Sequence, residues 1–105
     1  MADAGADILV AHIGLTTKGA IGAQTSLTLE KSAERIQKIA DSGKKVNPDV
    51  MVIYHDGPVA EPEDAEYIFN NTDGVVGFFG ASSIERLPTE QGIRQQTEQF
   101  KNLTI

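Results

Sequence analysis

Gly74-Val-Val-Gly-Phe-Phe-Gly-Ala-Ser-Ser-Ile-Glu-Arg-Leu-Pro88 is the stretch on which the fold turns. It opens on a short apolar run, Val75 to Phe79, with the pattern of a strand buried on both faces. It stops at Gly80-Ala81-Ser82-Ser83, small residues whose backbone can approach a ligand closely. A short segment, Ile84 to Leu87, follows and ends at Pro88. A strand, a Gly/Ser turn and then a short helix make an anion cradle, because free amides point outward and the helix dipole favours negative charge. A buried strand with a tight turn and nothing bound has the same wording, so this stretch alone leaves both readings open.

Upstream the same grammar repeats. Val50-Met-Val-Ile-Tyr54 reads as a strand, apolar throughout, and ends in His55-Asp56-Gly57-Pro58. Glu61-Pro62-Glu63-Asp64 then opens a helix, with proline at the first helical position and acids in the first turn. Ala65, Ile68 and Phe69 are its apolar positions, and Asn70 to Gly74 terminate it. Further upstream, Ile8 to Ile13 is a continuous apolar strand that carries His12 near its end. Gly14 to Thr25 follows as a long Gly/Thr loop, a length often tied to function. Lys18 precedes Gly19, and the glycine spacing matches neither a Walker A loop nor GxGxxG. Thr28 to Asp41 reads as an amphipathic helix with Leu29, Ala33, Ile36 and Ala40 on one stripe. Thr28 or Ser26 caps its start and Gly43 its end. Past Pro88, Thr89 caps a last helix whose stripe is Ile93, Phe100 and Leu103.

Three strand–helix units with apolar strands and one-sided helices predict an α/β fold with a parallel sheet and right-handed crossovers. At 105 residues the chain is one domain, 1–105. Polar and glycine residues collect after the C-terminal end of every strand, the edge at which parallel α/β folds bind ligands.

Composition excludes several functions. The net charge is −6 and the nine Lys and Arg are dispersed, which argues against general nucleic-acid binding. No apolar run approaches the ~20 residues of a membrane helix. The first seven residues have no basic region of a signal peptide. With no cysteine there are no disulfides, thiol nucleophiles or thiolate metal sites. A cytoplasmic location is the expectation.

The sequences Asp7-Ile-Leu-Val-Ala-His-Ile-Gly-Leu-Thr-Thr-Lys-Gly-Ala-Ile-Gly22, His55-Asp-Gly-Pro-Val-Ala-Glu-Pro-Glu-Asp-Ala65 and Gly77-Phe-Phe-Gly-Ala-Ser-Ser-Ile-Glu-Arg-Leu-Pro88 resemble the phosphoenolpyruvate-hydrolase-like TIM-barrel family. That family is related to the phosphoenolpyruvate/pyruvate barrel enzymes and includes Tm-1-type C-terminal domains. The resemblance implies that the chain corresponds to the last three of eight strands, roughly 40% of a barrel of ~250 residues. Met1 would then be an internal position of a longer protein. Self-association, or a chain supplying the remaining strands, would complete the barrel. A small open three-layer α/β sandwich is the alternative fold. The resemblance further implies a small phosphorylated or carboxylated metabolite as ligand, with hydrolase or lyase chemistry. A non-catalytic ligand-binding, regulatory or scaffolding module is the alternative function.

The candidate catalytic residues are His12, His55 and Asp56. A lone histidine ending a buried strand is more often a hydrogen-bonded core residue than a catalyst. Two at equivalent ends of neighbouring strands suit a general base or a metal site. The resemblance implies a Gly-Gly pair before Pro58, where this chain has Asp56-Gly57; Asp56 orients His55 or holds a metal, with Mg²⁺ the candidate, or simply caps a turn. Gly14, Thr16, Thr17, Gly19, Gly57, Gly80, Ala81, Ser82, Ser83 and Arg86 are the candidate anion-binding residues. Arg86 either clamps an anion or pairs with Glu85 or Glu90 on the surface. No G-x-S-x-G elbow surrounds Ser82, which excludes the usual serine-hydrolase arrangement.

Overall fold

A computed structural model describes residues 1–20 and 27–104. After a single 3-10 turn at Ala2–Ala4, the elements alternate as β1 (Ile8–His12), α1 (Leu29–Val46), β2 (Met51–His55), α2 (Pro62–Asn70), β3 (Val75–Phe79) and α3 (Arg86–Lys101). The three strands form one parallel sheet in the order β1-β2-β3. The chain is thus an α/β fold of three βα units, and the sheet is open rather than closed into a barrel.

One face of the sheet is covered. Ala11, Val52 and Tyr54 point into it, and Ala33, Ile36, Ala40 and Ile68 of the helices close over them. The predicted stripe of α1 is therefore its buried stripe. Tyr54 is fully buried and stacks near Phe69 and Phe78, while its hydroxyl donates to the Ala65 carbonyl at 3.2 Å. Burial pushes its pKa up to about 12, because the phenolate would lose its water.

The other face departs from the expectation of doubly buried strands. Ile8, Val10, Met51 and Phe79 are 46–54% exposed on it, and no element among the described residues covers them. Three strands with short crossovers can bury one face under their own helices; the second needs further strands or another sheet.

The helix ends also differ. α1 runs through Gly43 to Val46, and Asn47 closes it by donating to the Gly43 carbonyl at 3.0 Å. Gly43 is thus not a terminator but a contact point. A Cβ there would lie 2.3 Å from Leu9 Cδ1. Thr28 caps the start by accepting from the Lys31 amide at 3.2 Å; the alternative cap, Ser26, lies outside the described residues. α3 begins at Arg86, before Pro88, with the turn after Ala81 running directly into it. Pro88 fits because the first helical turn has orphan amides anyway. Beyond Leu87 the helix stands away from the body, and Ile93, Phe100 and Leu103 are 64–69% exposed. The molecule measures 66 × 23 × 22 Å as a result. No helix among the described residues is long and apolar enough to cross a membrane.

Candidate functional site

Register builds the site. In the parallel pair β1–β2, His12 stands opposite His55, so both side chains leave the sheet on the same face at the same C-terminal edge. Their rings meet edge to face with centroids 5.2 Å apart. On the other side of His55, Phe79 ends β3 in register with it, and the two rings lie 4.7 Å apart. His55 Nδ1 is hydrogen-bonded to the Phe79 carbonyl oxygen.

The chain then turns sharply. Asp56 has φ +58°, the left-handed region that aspartate tolerates better than most residues, and Gly57 follows at φ +73°. This turn folds the Asp56 carboxylate back against its neighbour, with Oδ2 3.0 Å from His55 Nε2. Thr16 reaches over from the loop after β1 and donates its hydroxyl to Asp56 Oδ1 at 3.1 Å. Both Thr16 and Asp56 are buried. Two backbone contacts pin the loop: Gly57 N–H donates to the Gly14 carbonyl at 3.1 Å, and Gly14 N–H donates to His12 Nδ1 at 3.2 Å. Donor atoms of His12, His55 and Asp56 all lie within 4.8 Å of one another, a spacing that a single cation can bridge.

The predicted residues divide into two places. His12, Gly14, Thr16, His55, Asp56 and Gly57 form the cluster at the strand ends. Thr17 is half-buried in the same loop beside Thr16. Gly80 to Ser83 leave β3 immediately after Phe79, beside His55. In that turn the amides of Ile84, Glu85 and Leu87 donate to Ala81 and Ser82 carbonyls, whereas those of Ala81, Ser82 and Ser83 meet no backbone acceptor among the described residues. Ser83 Oγ is buried and likewise without a partner among them. Gly80 has a packing reason of its own: a Cβ would lie 2.6 Å from Ile84 Cδ1 and 2.9 Å from Phe78 Cε1.

Gly19 and Arg86 belong elsewhere. Gly19 sits with positive φ against the start of α3, where a Cβ would overlap Arg86 Nη1 and Leu87 Cδ2. Arg86 donates to Glu90 Oε1 and to the Lys18 carbonyl, both at 2.9 Å. Glu90 also accepts from the Ala20 amide at 3.2 Å. That amide and then the Arg86 guanidinium hold the Glu90 carboxyl below its ordinary pKa. Lys18, Gly19, Ala20, Leu87, Glu90 and Arg94 border a groove of about 740 Å³ here, separate from the histidines.

One participant is not legible in residue types. The Phe79 carbonyl holds His55 but is a backbone group, legible only once the β2–β3 register is known. Asp64 accepts from the Ala60 and Glu61 amides at 3.0 Å and pairs with Lys18 at 3.4 Å, tying the loop after β1 to α2. Burial raises its pKa, but those two amides and the Lys18 ammonium outweigh it and leave the carboxyl below the usual value.

Comparison with known proteins gives a consistent signal along the chain. The sequence profile of the family described as phosphoenolpyruvate hydrolase-like matches residues 1–103. The chain is 52% identical over 105 residues to the tomato (Solanum lycopersicum) ToMV susceptible protein tm-1(GCR26). It is 51% identical to the ToMV resistance protein Tm-1(GCR237) of the same species. Each match covers 100% of this chain but 14% of the relative, so the chain spans about one-seventh of the length of these curated proteins.

Proposed function

The chain belongs to the phosphoenolpyruvate hydrolase-like family, and on that premise we propose that it binds a small phosphorylated or carboxylated metabolite at the C-terminal ends of its strands. The observation that carries this reading is the convergence of His12, His55 and Asp56 at that edge, beside a turn with unclaimed amides at Ala81 to Ser83. Those amides and the Ser83 hydroxyl would receive the anionic group; the histidines would flank the reacting carbon. Arg86 is committed to Glu90 and Lys18, so the anion is held by amides and hydroxyls rather than by a guanidinium clamp. Hydrolase or lyase chemistry on such a ligand is the reading for the longer protein.

A second reading has its own support. The exposed apolar face of the sheet and its two unpaired edges favour a non-catalytic association module, completed by a second copy or by a chain bearing further strands. The chain is nearly as similar to the tomato protein named for resistance as to the one named for susceptibility, so the similarity carries no indication of virus resistance.

Titration calorimetry with inorganic phosphate and with phosphoenolpyruvate separates the two. Anion binding that Ser83→Ala weakens and His55→Ala weakens further, with release of phosphate or pyruvate that His55→Ala abolishes, supports the catalytic reading. Binding without turnover supports the module. Absence of binding to both anions rejects the metabolite site.

A further inference from the structure

We infer that His12, His55 and Asp56 form a binding site for a divalent first-row transition metal ion, held by two imidazoles and one carboxylate. The starting observation is that His55 faces acceptors on both sides, an arrangement satisfied by an imidazolium or by a neutral ring with a cation at Nε2. One ring nitrogen faces the Phe79 carbonyl and the other faces Asp56 Oδ2 at 3.0 Å. Both facing atoms are acceptors, and a neutral imidazole carries one N–H. With Nδ1–H given to the carbonyl, the Nε2 lone pair points at a carboxylate oxygen. A cation between them turns that repulsion into two bonds.

The geometry specifies the kind of ion. With metal–nitrogen and metal–oxygen bonds of about 2.1 Å, a 3.0 Å separation subtends about 90° at the metal, whereas tetrahedral ligands would stand about 3.4 Å apart. Right angles between neighbouring ligands belong to six-coordinate ions, and two histidines with one carboxylate are the donor set of such ions when several positions stay open. Imidazole nitrogen disfavours Mg²⁺ and Ca²⁺, which prefer oxygen. The surroundings have the form of a metal site's outer shell. The Phe79 carbonyl fixes the His55 tautomer with Nε2 inward, and the Thr16 hydroxyl orients Asp56. His12 is the weakest ligand, since its Nδ1 already accepts from the Gly14 amide and that contact, 3.2 Å long, must be released or the ring turned. A cation here also removes an obstacle for an anionic ligand, because the buried Asp56 carboxylate alone would repel it. The site uses the same side chains as the metabolite reading, but a metal titration contains no metabolite, so either can fail without the other.

The test is calorimetric and optical titration of chelator-treated protein with Co²⁺, with Mg²⁺ as control. The expected result is one Co²⁺ per chain, visible d–d absorption, and Mg²⁺ affinity at least about a hundredfold weaker. Thr16→Val should weaken Co²⁺ about 10–100-fold, as outer-shell losses do. His55→Ala and Asp56→Asn should weaken it further, and His12→Ala less than His55→Ala. Asp56→Asn keeps a side chain that tolerates the left-handed turn, and unchanged far-ultraviolet circular dichroism verifies the fold of each variant. No Co²⁺ binding, binding unmoved by any one of the three ligand substitutions, or Mg²⁺ binding as tight as Co²⁺ overturns the assignment.

Discussion

Asp56 and Gly57 hold adjacent left-handed conformations between a buried strand and the loop it meets. A non-glycine residue there costs roughly 1–2 kcal/mol, and here the Thr16 hydroxyl holds the strained residue in place. Strain of this kind concentrates at functional sites. Gly57 has less room than Asp56. A Cβ would lie 2.9 Å from Ile13 Cγ1 and 3.0 Å from the Ile13 carbonyl oxygen, and backbone cannot swing aside. Gly57→Ala should therefore lower stability by more than about 1 kcal/mol, although Gly→Ala at a compatible site stabilises by 0.4–1. Denaturant melts of the two proteins check the sign; an unchanged midpoint would show that the loop after β1 yields freely. At this scale the sequence shows which polar residues end the strands and is silent about how they meet. His12, His55 and Asp56 were visible as polar residues ending apolar strands. The edge-to-face contact and the carboxylate folded onto His55 depend on register and on the φ of one residue, which residue types do not encode.

The elements were legible where propensity and packing agree, and misread where packing overrides. Pro62 and the acids after it announced α2, and Asp64 carries out the role by accepting from the Ala60 and Glu61 amides. Gly43 looked like a stop signal, but α1 continues through it because Leu9 occupies the space of its absent Cβ. Pro88 looked like a boundary, yet it lies within the first turn of α3. The Asp64 contacts make a pH prediction. Its folded pKa lies below the ordinary 3.8, so its stabilising contribution is complete above that value and is lost as pH falls through the lowered one. Asp64→Ala should cost about 0.5–2 kcal/mol at neutral pH, the usual loss of a helix cap. The difference from the unsubstituted protein should shrink below pH 3.8. Thermal melts at pH 7 and at acid pH measure both effects, and a difference that persists undiminished in acid would assign the loss to something other than the ionised carboxylate.

The whole molecule is an open three-stranded sheet with one dressed face, one apolar face and a projecting helix. The periodicity predicts the three units and the parallel order; it also points to strands covered on both faces, and the second face is open because nothing among the described residues lies over it. Among the described residues the outer edges of β1 and β3 are unpaired, and with the exposed Ile8, Val10, Met51 and Phe79 they invite association. Light scattering across a concentration series should show self-association, and Val10→Lys, placing a charge on the open face at the β1 edge, should reduce it. A monomer at every concentration would count against this. Amide nuclear magnetic resonance during titration with phosphoenolpyruvate locates the ligand residue by residue. Saturable shifts are expected at Gly14, His55, Asp56, Gly57 and Gly80 to Ser83, the C-terminal edge of the sheet. Shifts confined to Lys18, Ala20 and Glu90 in the groove beside α3, or no saturable shifts, would contradict a ligand site at that edge.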